Sequence, residues 1–365
     1  MPSYSTVDEK ARPSTLATEA APLLEAKMSG FPTASFAGAL TRPATQRLPQ
    51  TIAHRGYKAA WPENTMGAFQ GAVAVGAHAI ETDVHLTKDK VVVLSHDGNL
   101  VRCFGRKDKI ADCDWEFLST LRTTREPRSP MPRLLDLLTY LAQPGLEDIW
   151  VLIDIKRDDD PDELMHHIAK TFDAAPVSRP WRERIIIGCW DATFMRRSEQ
   201  HLPGFPIAYI GWSLPYATAL LRHEGVSFNL QQRVLVGPWG ARFLRRAREL
   251  GRAVFVWTVN DEEWMEWSVR KEIDGVITDD PKLFLDVCRR HDDHDDHDDG
   301  SGGGGGGTDG DVAAAAPKRK RTGLRRWIRL YGLVAVLQML ALAFVIVMRL
   351  RYGSDTKRVK KALGR

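Results

Sequence analysis

The sequence predicts an α/β fold, a closed (β/α)8 TIM barrel with a C-terminal membrane-anchoring helix. Three observations predict it. Eight short runs rich in β-branched and aromatic residues recur between residues 51 and 278. Stretches with helical spacing of apolar residues separate them. Polar and charged residues gather at the C-terminal ends of the early runs, where barrels build their sites.

The candidate strands are residues 51–54, 78–85 with its continuation 91–95, 150–156, 184–190, 207–211, 226–229, 253–259 and 275–278. Helical patterns fall at 65–75, 134–141, 162–172, 193–201, 216–224, 241–250 and 261–269. Strands and helices in strict alternation call for parallel strands with helical crossovers. An open doubly wound sheet is the rival, and it wants a glycine-rich phosphate loop after the first strand. None is there.

Five regions follow along the 365 residues. Residues 1–48 are rich in Ser, Thr, Pro and Ala without a period, and read as a disordered tail. Residues 49–290 form the barrel. Residues 291–326 read as a disordered linker, first Asp/His/Gly-rich and then basic. Residues 327–349 are the membrane segment, and 350–365 a basic tail. The apolar run 330–348 has 19 residues, about 28 Å as a helix, close to the hydrocarbon thickness of a bilayer. Seven Lys/Arg precede it and seven follow it, so charge does not orient it. It either spans the membrane or dips into one leaflet and returns.

The net charge of +4 hides this layout. Residues 1–290 carry 37 Lys/Arg against 38 Asp/Glu. The basic excess lies around the apolar run, which points to anionic lipid and not to nucleic acid. Four cysteines without CxxC spacing, and no N-terminal apolar leader, point to reduced thiols and an intracellular membrane. The catalytic domain then lies on the cytosolic side, and the organelle stays open.

The chemistry concentrates in a few motifs. The first strand ends in Ala53-His54-Arg55-Gly56 and the second reads Glu81-Thr82-Asp83-Val84-His85. The next run ends in Ser95-His96-Asp97-Gly98, and the third strand reads Asp154-Ile155-Lys156. Alternate strand residues share a face, so Glu81 and Asp83 point together, as do Asp154 and Lys156. Carboxylates inside a barrel are costly unless they share a cation. Three hard oxygen donors suit Mg2+ or Ca2+. Two histidines beside them offer the acid and base that a phosphodiester needs. Arg55 and Lys156 can hold phosphate oxygens. Glu63 can line the site, with Asn64 capping the next helix and Asp97 orienting His96. Asn229 and Asn260 end strands where glycerol hydroxyls can be met. The polar insertion 98–131 shields the site, faces a membrane or is simply solvated.

The His54-Arg55-Gly56 to Glu63-Asn64 motif, the E-T-D, the S-H-D, and the late V-W-T-V-N and D-G-V-I-T-D-D-P resemble the glycerophosphodiester phosphodiesterase family over about residues 51–285. The resemblance implies a divalent cation held by Glu81, Asp83 and Asp154. It implies His54 and His96 as the acid/base pair, phosphate contacts from Arg55 and Lys156, and a wall at Trp257. Most members carry Glu in the third-strand motif, whereas this chain has Asp154. That departure and the C-terminal anchor resemble the fungal phosphatidylglycerol phospholipase C branch. The implied reaction releases diacylglycerol and glycerol phosphate from a phospholipid at a membrane. The alternatives are hydrolysis of deacylated phospholipids to glycerol 3-phosphate and an alcohol, or a non-catalytic barrel serving as an interaction module.

Overall fold

Eight parallel strands hydrogen-bond in a ring that closes on itself. They are β3 (Gln50–His54), β4 (Ala79–Leu86), β6 (Trp150–Ile155), β7 (Ile185–Cys189), β8 (Ile207–Gly211), β9 (Ser227–Gln231), β10 (Val254–Trp257) and β11 (Gly275–Thr278). The computed structural model describes residues 30–41, 47–298 and 355–363, with isolated positions 332, 339 and 343. The helices around the ring are α1 (Met66–Ala74), α4 (Leu134–Leu141), α5 (Pro161–Ala174), α6 (Ala192–His201), α7 (Leu214–Leu220), α8 (Pro238–Glu249), α9 (Glu262–Arg270) and α10 (Pro281–Asp298). Short helices α2 (Val101–Phe104) and α3 (Trp115–Thr120) lie in the insertion.

The strands read as near-continuous apolar runs because helices cover one face and the barrel interior the other. All six residues of β6 are buried. Along it, Trp150 and Leu152 point inward with Ile52, Ala79, Ile186, Ala208, Ile210, Phe255 and Ile277. Val151, Ile153 and Ile155 point outward into the layer shared with the helices. The same alternation carries β4 from Ala79 to Glu81 and Asp83, and β6 on to Asp154. The interior is therefore apolar at its lower end and charged at its upper end. Register aligns these levels, with His54 opposite Glu81 and Asp83 opposite Asp154.

Three expectations change. Residues 91–95 do not continue the second strand. They supply β5 (Val92–Leu94), which turns back antiparallel on β4 and leaves the ring at eight. Residues 30–41 and 47–48, expected in a disordered tail, are folded. Strands β1 (Leu40–Thr41) and β2 (Arg47–Leu48) pair, and a short 3-10 turn (Ser35–Ala37) closes the lower end of the barrel. Gln50 Nε2 donates to the carbonyls of Phe36 and Gly38, and Gln50 Oε1 accepts from Trp150 Nε1 at 2.7 Å. Composition had no means of marking a segment that is ordered by capping a barrel. Thirdly, α10 runs to Asp298, through the start of the expected linker.

Among the described residues no helix is long and apolar enough to cross a membrane. Residues 330–348 lie outside them, positions 332, 339 and 343 apart. Beyond that run, α11 (Asp355–Leu363) is described, with Val359 and Leu363 buried in the main core. It packs on α6 and α7. The four cysteines form no disulfide.

Phe31 tests whether the lower closure belongs to the folding unit. It is 5% exposed, and its backbone N–H donates to the Glu224 carbonyl. Phe31→Ala is expected to cost about 3 kcal/mol in denaturant unfolding. Unchanged stability would place residues 30–41 outside the cooperative unit.

Candidate active site

The upper end of the barrel opens into a cavity of about 430 Å3. His54, Arg55, Glu81, Asp83, His96, Asp154, Lys156 and Trp257 all line it, as the motifs predict. Glu81, Asp83 and Asp154 each bring a carboxylate oxygen within 4.8 Å of the others. All three are buried.

The charges around this cluster do not balance. Lys156 Nζ lies 2.6 Å from Asp83 Oδ1 and 2.6 Å from Asp154 Oδ2. Arg55 Nε is 3.3 Å from Asp83 Oδ2, and the Arg55 backbone N–H donates to Glu81 Oε2. Three carboxylates against two cations leave one negative charge in a buried space. The consequence is uneven. Burial, then repulsion from Asp83, pushes Glu81 well above the usual carboxylate range. Burial also raises Asp154. Asp83 is buried too, yet Lys156 and Arg55 hold it below its ordinary value. A divalent cation would remove the conflict and leave one net positive charge, suited to a phosphodiester monoanion. The donor set fits such an ion: three hard carboxylates whose oxygens converge, with side-chain donors holding other oxygens of the cluster.

Those donors are specific. Trp190 Nε1 donates to Asp154 Oδ1 at 2.7 Å. Asn64 Nδ2 donates to Asp83 Oδ2 at 2.9 Å, and Asn64 Oδ1 accepts from Thr82 Oγ1. Asn64 is thus not the helix cap that the sequence suggests. Thr65 caps α1, accepting from the Ala68 N–H. Asn64 sits at φ 52, a conformation that Asn tolerates better than most residues.

Each histidine is held through Nδ1 by a carboxylate. His54 Nδ1 lies 2.6 Å from Asp279 Oδ1, and His96 Nδ1 lies 2.7 Å from Asp97 Oδ1. Nε2 of each ring is left for chemistry; that of His54 lies 4.0 Å from Glu81 Oε2. Burial pulls His54 below its ordinary value, against the upward pull of Asp279. Asp279 drops to about 2 because its bond to His54, with Lys58 and Asn260, outweighs burial. Asn260 grips Asp279 through both atoms of its amide and is not among the residues that line the cavity. His85, two residues beyond Asp83 on β4, is buried and joins Asp159 Oδ2 at 2.7 Å to the carbonyl of His96.

Glu63 does not line the cavity. It binds Arg55 Nη1 at 2.8 Å and takes a two-pronged contact from Arg102. Arg102 Nε also reaches Asp97 Oδ2. The insertion therefore shields one side of the site, and it carries its own small core of Leu100, Ile110, Leu118 and Met131. Arg125 fastens it by donating to the carbonyls of Lys58, Ala59 and Trp61.

The motif reading missed Trp190 and the role of Asp279. Both carried a positional signal, since each follows the C-terminal end of a barrel strand. Two outcomes check the electrostatics. Burial raises Glu63, but Arg102 and Arg55 together bring it down from 4.5 to about 2. A depressed folded value stabilises the fold above the unfolded pKa and is lost as pH falls through the folded one. Glu63→Gln should cost about 2 kcal/mol near neutrality, with the difference from wild type vanishing towards pH 2. Urea unfolding across pH reads it, and a pH-independent difference would refute the ion-pair account. Glu81→Gln should weaken Ca2+ or Mg2+ binding about tenfold or more in calorimetric titration, with the far-ultraviolet dichroism unchanged.

A model of the glycerophosphoryl diester phosphodiesterase family matches residues 54–283. A glycerophosphodiester phosphodiesterase of Caldanaerobacter subterraneus subsp. tengcongensis is 29% identical over 247 residues, covering 66% of this chain and 97% of that protein. A crystal structure of glycerophosphodiester phosphodiesterase from Thermotoga maritima superposes with a TM-score of 0.54 at 27% identity, over 67% of this chain and 100% of that one. An Oleispira antarctica phosphodiesterase, solved with the product sn-glycerol-3-phosphate, gives a TM-score of 0.58 at 20% identity, covering 66% and 97%. The chain belongs to the glycerophosphoryl diester phosphodiesterase family, and is a hydrolase of phosphodiester bonds on a (β/α)8 barrel.

Proposed function

We propose that this protein is a membrane-anchored, metal-dependent phosphodiesterase that cleaves phosphatidylglycerol to diacylglycerol and glycerol phosphate. One observation carries the chemistry. Two histidines, each fixed at Nδ1 by a carboxylate, present Nε2 beside a buried three-carboxylate cluster. Mg2+ or Ca2+ bound by Glu81, Asp83 and Asp154 would supply positive charge to the phosphate.

The remaining steps belong to side chains. One Nε2 takes the proton of a head-group glycerol hydroxyl as its oxygen bonds to phosphorus. The other gives a proton to the diacylglycerol oxygen as its bond to phosphorus breaks. The cyclic glycerol phosphate then opens by the reverse assignment: water loses its proton to the second histidine and the ring oxygen gains one from the first. Both histidines end as they began. Lys156 and Arg55 keep positive charge beside the phosphate. Asn229 Oδ1 is buried with no hydrogen-bond partner among the described residues, and its residue lines the cavity. An acceptor so placed suits a glycerol hydroxyl.

Two features favour the lipid. Asp154 in place of Glu accompanies the resemblance to the phospholipase C branch. The apolar run 330–348 would keep the enzyme on its substrate surface. Helix α11 follows that run yet packs on the same barrel that precedes it, which favours a segment that returns over one that crosses once. The membrane is then intracellular, with the barrel on the cytosolic side. The second reading, hydrolysis of deacylated phospholipids, is favoured by the name and 97% coverage of the Caldanaerobacter relative.

Product analysis on phosphatidylglycerol vesicles tests this. Diacylglycerol should form with Mg2+ or Ca2+, stop with chelator, and fall by about 10²–10⁴-fold in His54→Ala and His96→Ala. Glycerol 3-phosphate from deacylated lipids, without diacylglycerol, would move the assignment to the second reading. No turnover of either would leave a non-catalytic barrel. Asn229→Ala should raise KM about tenfold with a smaller change in kcat.

A further inference from the structure

Most large aromatic side chains of this barrel are covered. Trp212 and Trp239 are not: they are 56% and 76% exposed. Both lie at the catalytic end. Trp212 directly follows β8, and Trp239 sits in the first turn of α8, after β9. Strands β8 and β9 are neighbours in the ring, so the two indoles belong to adjacent loops of one rim. The exposed Pro238, next to Trp239 in the chain, adds to this apolar surface.

The patch is continuous with the site. The Trp257 ring, on the cavity wall, meets Trp190 at 5.9 Å between centroids, and Trp190 meets Trp212 at 5.6 Å. An aromatic path therefore leads from the reacting centre out to the surface. Asp191, on the neighbouring loop, is engaged in capping α6. Arg157 Nε, 3.7 Å from Asp191 Oδ2, offsets its charge in part.

The course of the chain identifies the occupant. Helix α11 lays Val359 and Leu363 against α6 and α7 and leaves Lys357, Lys360 and Lys361 exposed. Its first turn lies at the rim: the Arg358 guanidinium sits 6.0 Å from the Tyr216 ring centroid. Tyr216 is in the first turn of α7, and its hydroxyl accepts from the Ala192 N–H at the start of α6. The apolar run ends at Met348, seven positions before Asp355. Seven residues reach at most about 25 Å. A bilayer that receives the run thus lies within that reach of Asp355, in the helical turn that carries Arg358 to Tyr216.

We propose that the rim formed by Trp212 and Trp239 docks on a phospholipid bilayer and turns the barrel mouth onto the lipid surface. Indole rings suit the head-group region, where an apolar body and a polar N–H are both accommodated. The lysines of α11 add attraction to anionic head groups. The docking rests on the membrane-anchored reading above, and its consequence for turnover on the lipid substrate as well.

The test uses the full chain and vesicles of phosphatidylcholine containing phosphatidylglycerol and a doxyl-labelled lipid. Variants are Trp239→Ala, Trp239→Glu and Trp212→Ala. Three quantities are read: quenching of tryptophan fluorescence by the doxyl lipid, diacylglycerol release from the vesicles, and cleavage of dihexanoyl phosphatidylglycerol kept monomeric. In the Trp239 variants the quenched signal should shrink and vesicle turnover fall about tenfold, most in Trp239→Glu, with monomeric turnover unchanged. Trp212→Ala should lose quenched signal likewise. Undiminished quenching would overturn the proposal and leave this face for a protein partner. Equal loss on vesicles and monomers would also overturn it, since the tryptophans would then be shaping the site. Diminished quenching in the variants, with no diacylglycerol from wild type, would uphold docking and remove the lipid substrate.

Discussion

Three carboxylates buried together at the upper end of a barrel set the terms for everything above them. Glu81, Asp83 and Asp154 lie within 4.8 Å of each other, with Lys156 bridging two of them. Such a cluster is unfavourable in a low-dielectric interior unless each oxygen is engaged. The surroundings are arranged accordingly. Asn64, Trp190, Arg55 and Lys156 all contribute donors. The uncompensated charge collects on Glu81, whose burial beside Asp83 lifts its proton affinity. The excess negative charge stands where a cation and then a phosphate anion are to be received.

The outer shell follows the same rule at longer range. Each histidine has a carboxylate on Nδ1, and each of those has its own cationic or amide partner. Asp279 is gripped by Asn260 and Lys58, and Asp97 by Arg102. Arg102 also reaches Glu63, which returns to Arg55 and so to Asp83. The insertion is thereby wired into the reacting centre through charge. This chain of contacts fixes the tautomer of each ring, because a carboxylate on Nδ1 requires the proton there.

Much of this was legible in the residues. Strand period 2 placed Glu81 with Asp83 and Asp154 with Lys156, and the rule that barrel sites sit at strand ends placed the histidines with them. Eight strands and seven intervening helices fell close to their expected positions. What escaped depended on long-range pairing. Residues 92–94 form a fine strand in isolation, and composition does not say whether they extend β4 or fold back on it. Asn64 before a helix is an ordinary cap until Thr82 and Asp83 are seen to need it. Glu63 read as a site residue because its loop does face the mouth; its carboxylate turns towards Arg55 and Arg102 instead. The segment at 30–41 is short, polar in part and without period, and its order comes from the open end of a barrel that it happens to close.

Asp154 shows how a shortened side chain is accommodated without dismantling the centre. Aspartate draws its carboxylate back by one methylene relative to the Glu that the family resemblance leads one to expect. In this barrel neither of its oxygens is left unmet: Oδ1 takes the indole N–H of Trp190 and Oδ2 the ammonium of Lys156. Trp190 in turn packs against both Trp257 and Trp212. The same indole thus supports an oxygen of the candidate metal cluster on one side and meets the exposed Trp212 on the other. The acid of the third strand is linked, through one shared side chain, to the exposed indole of Trp212.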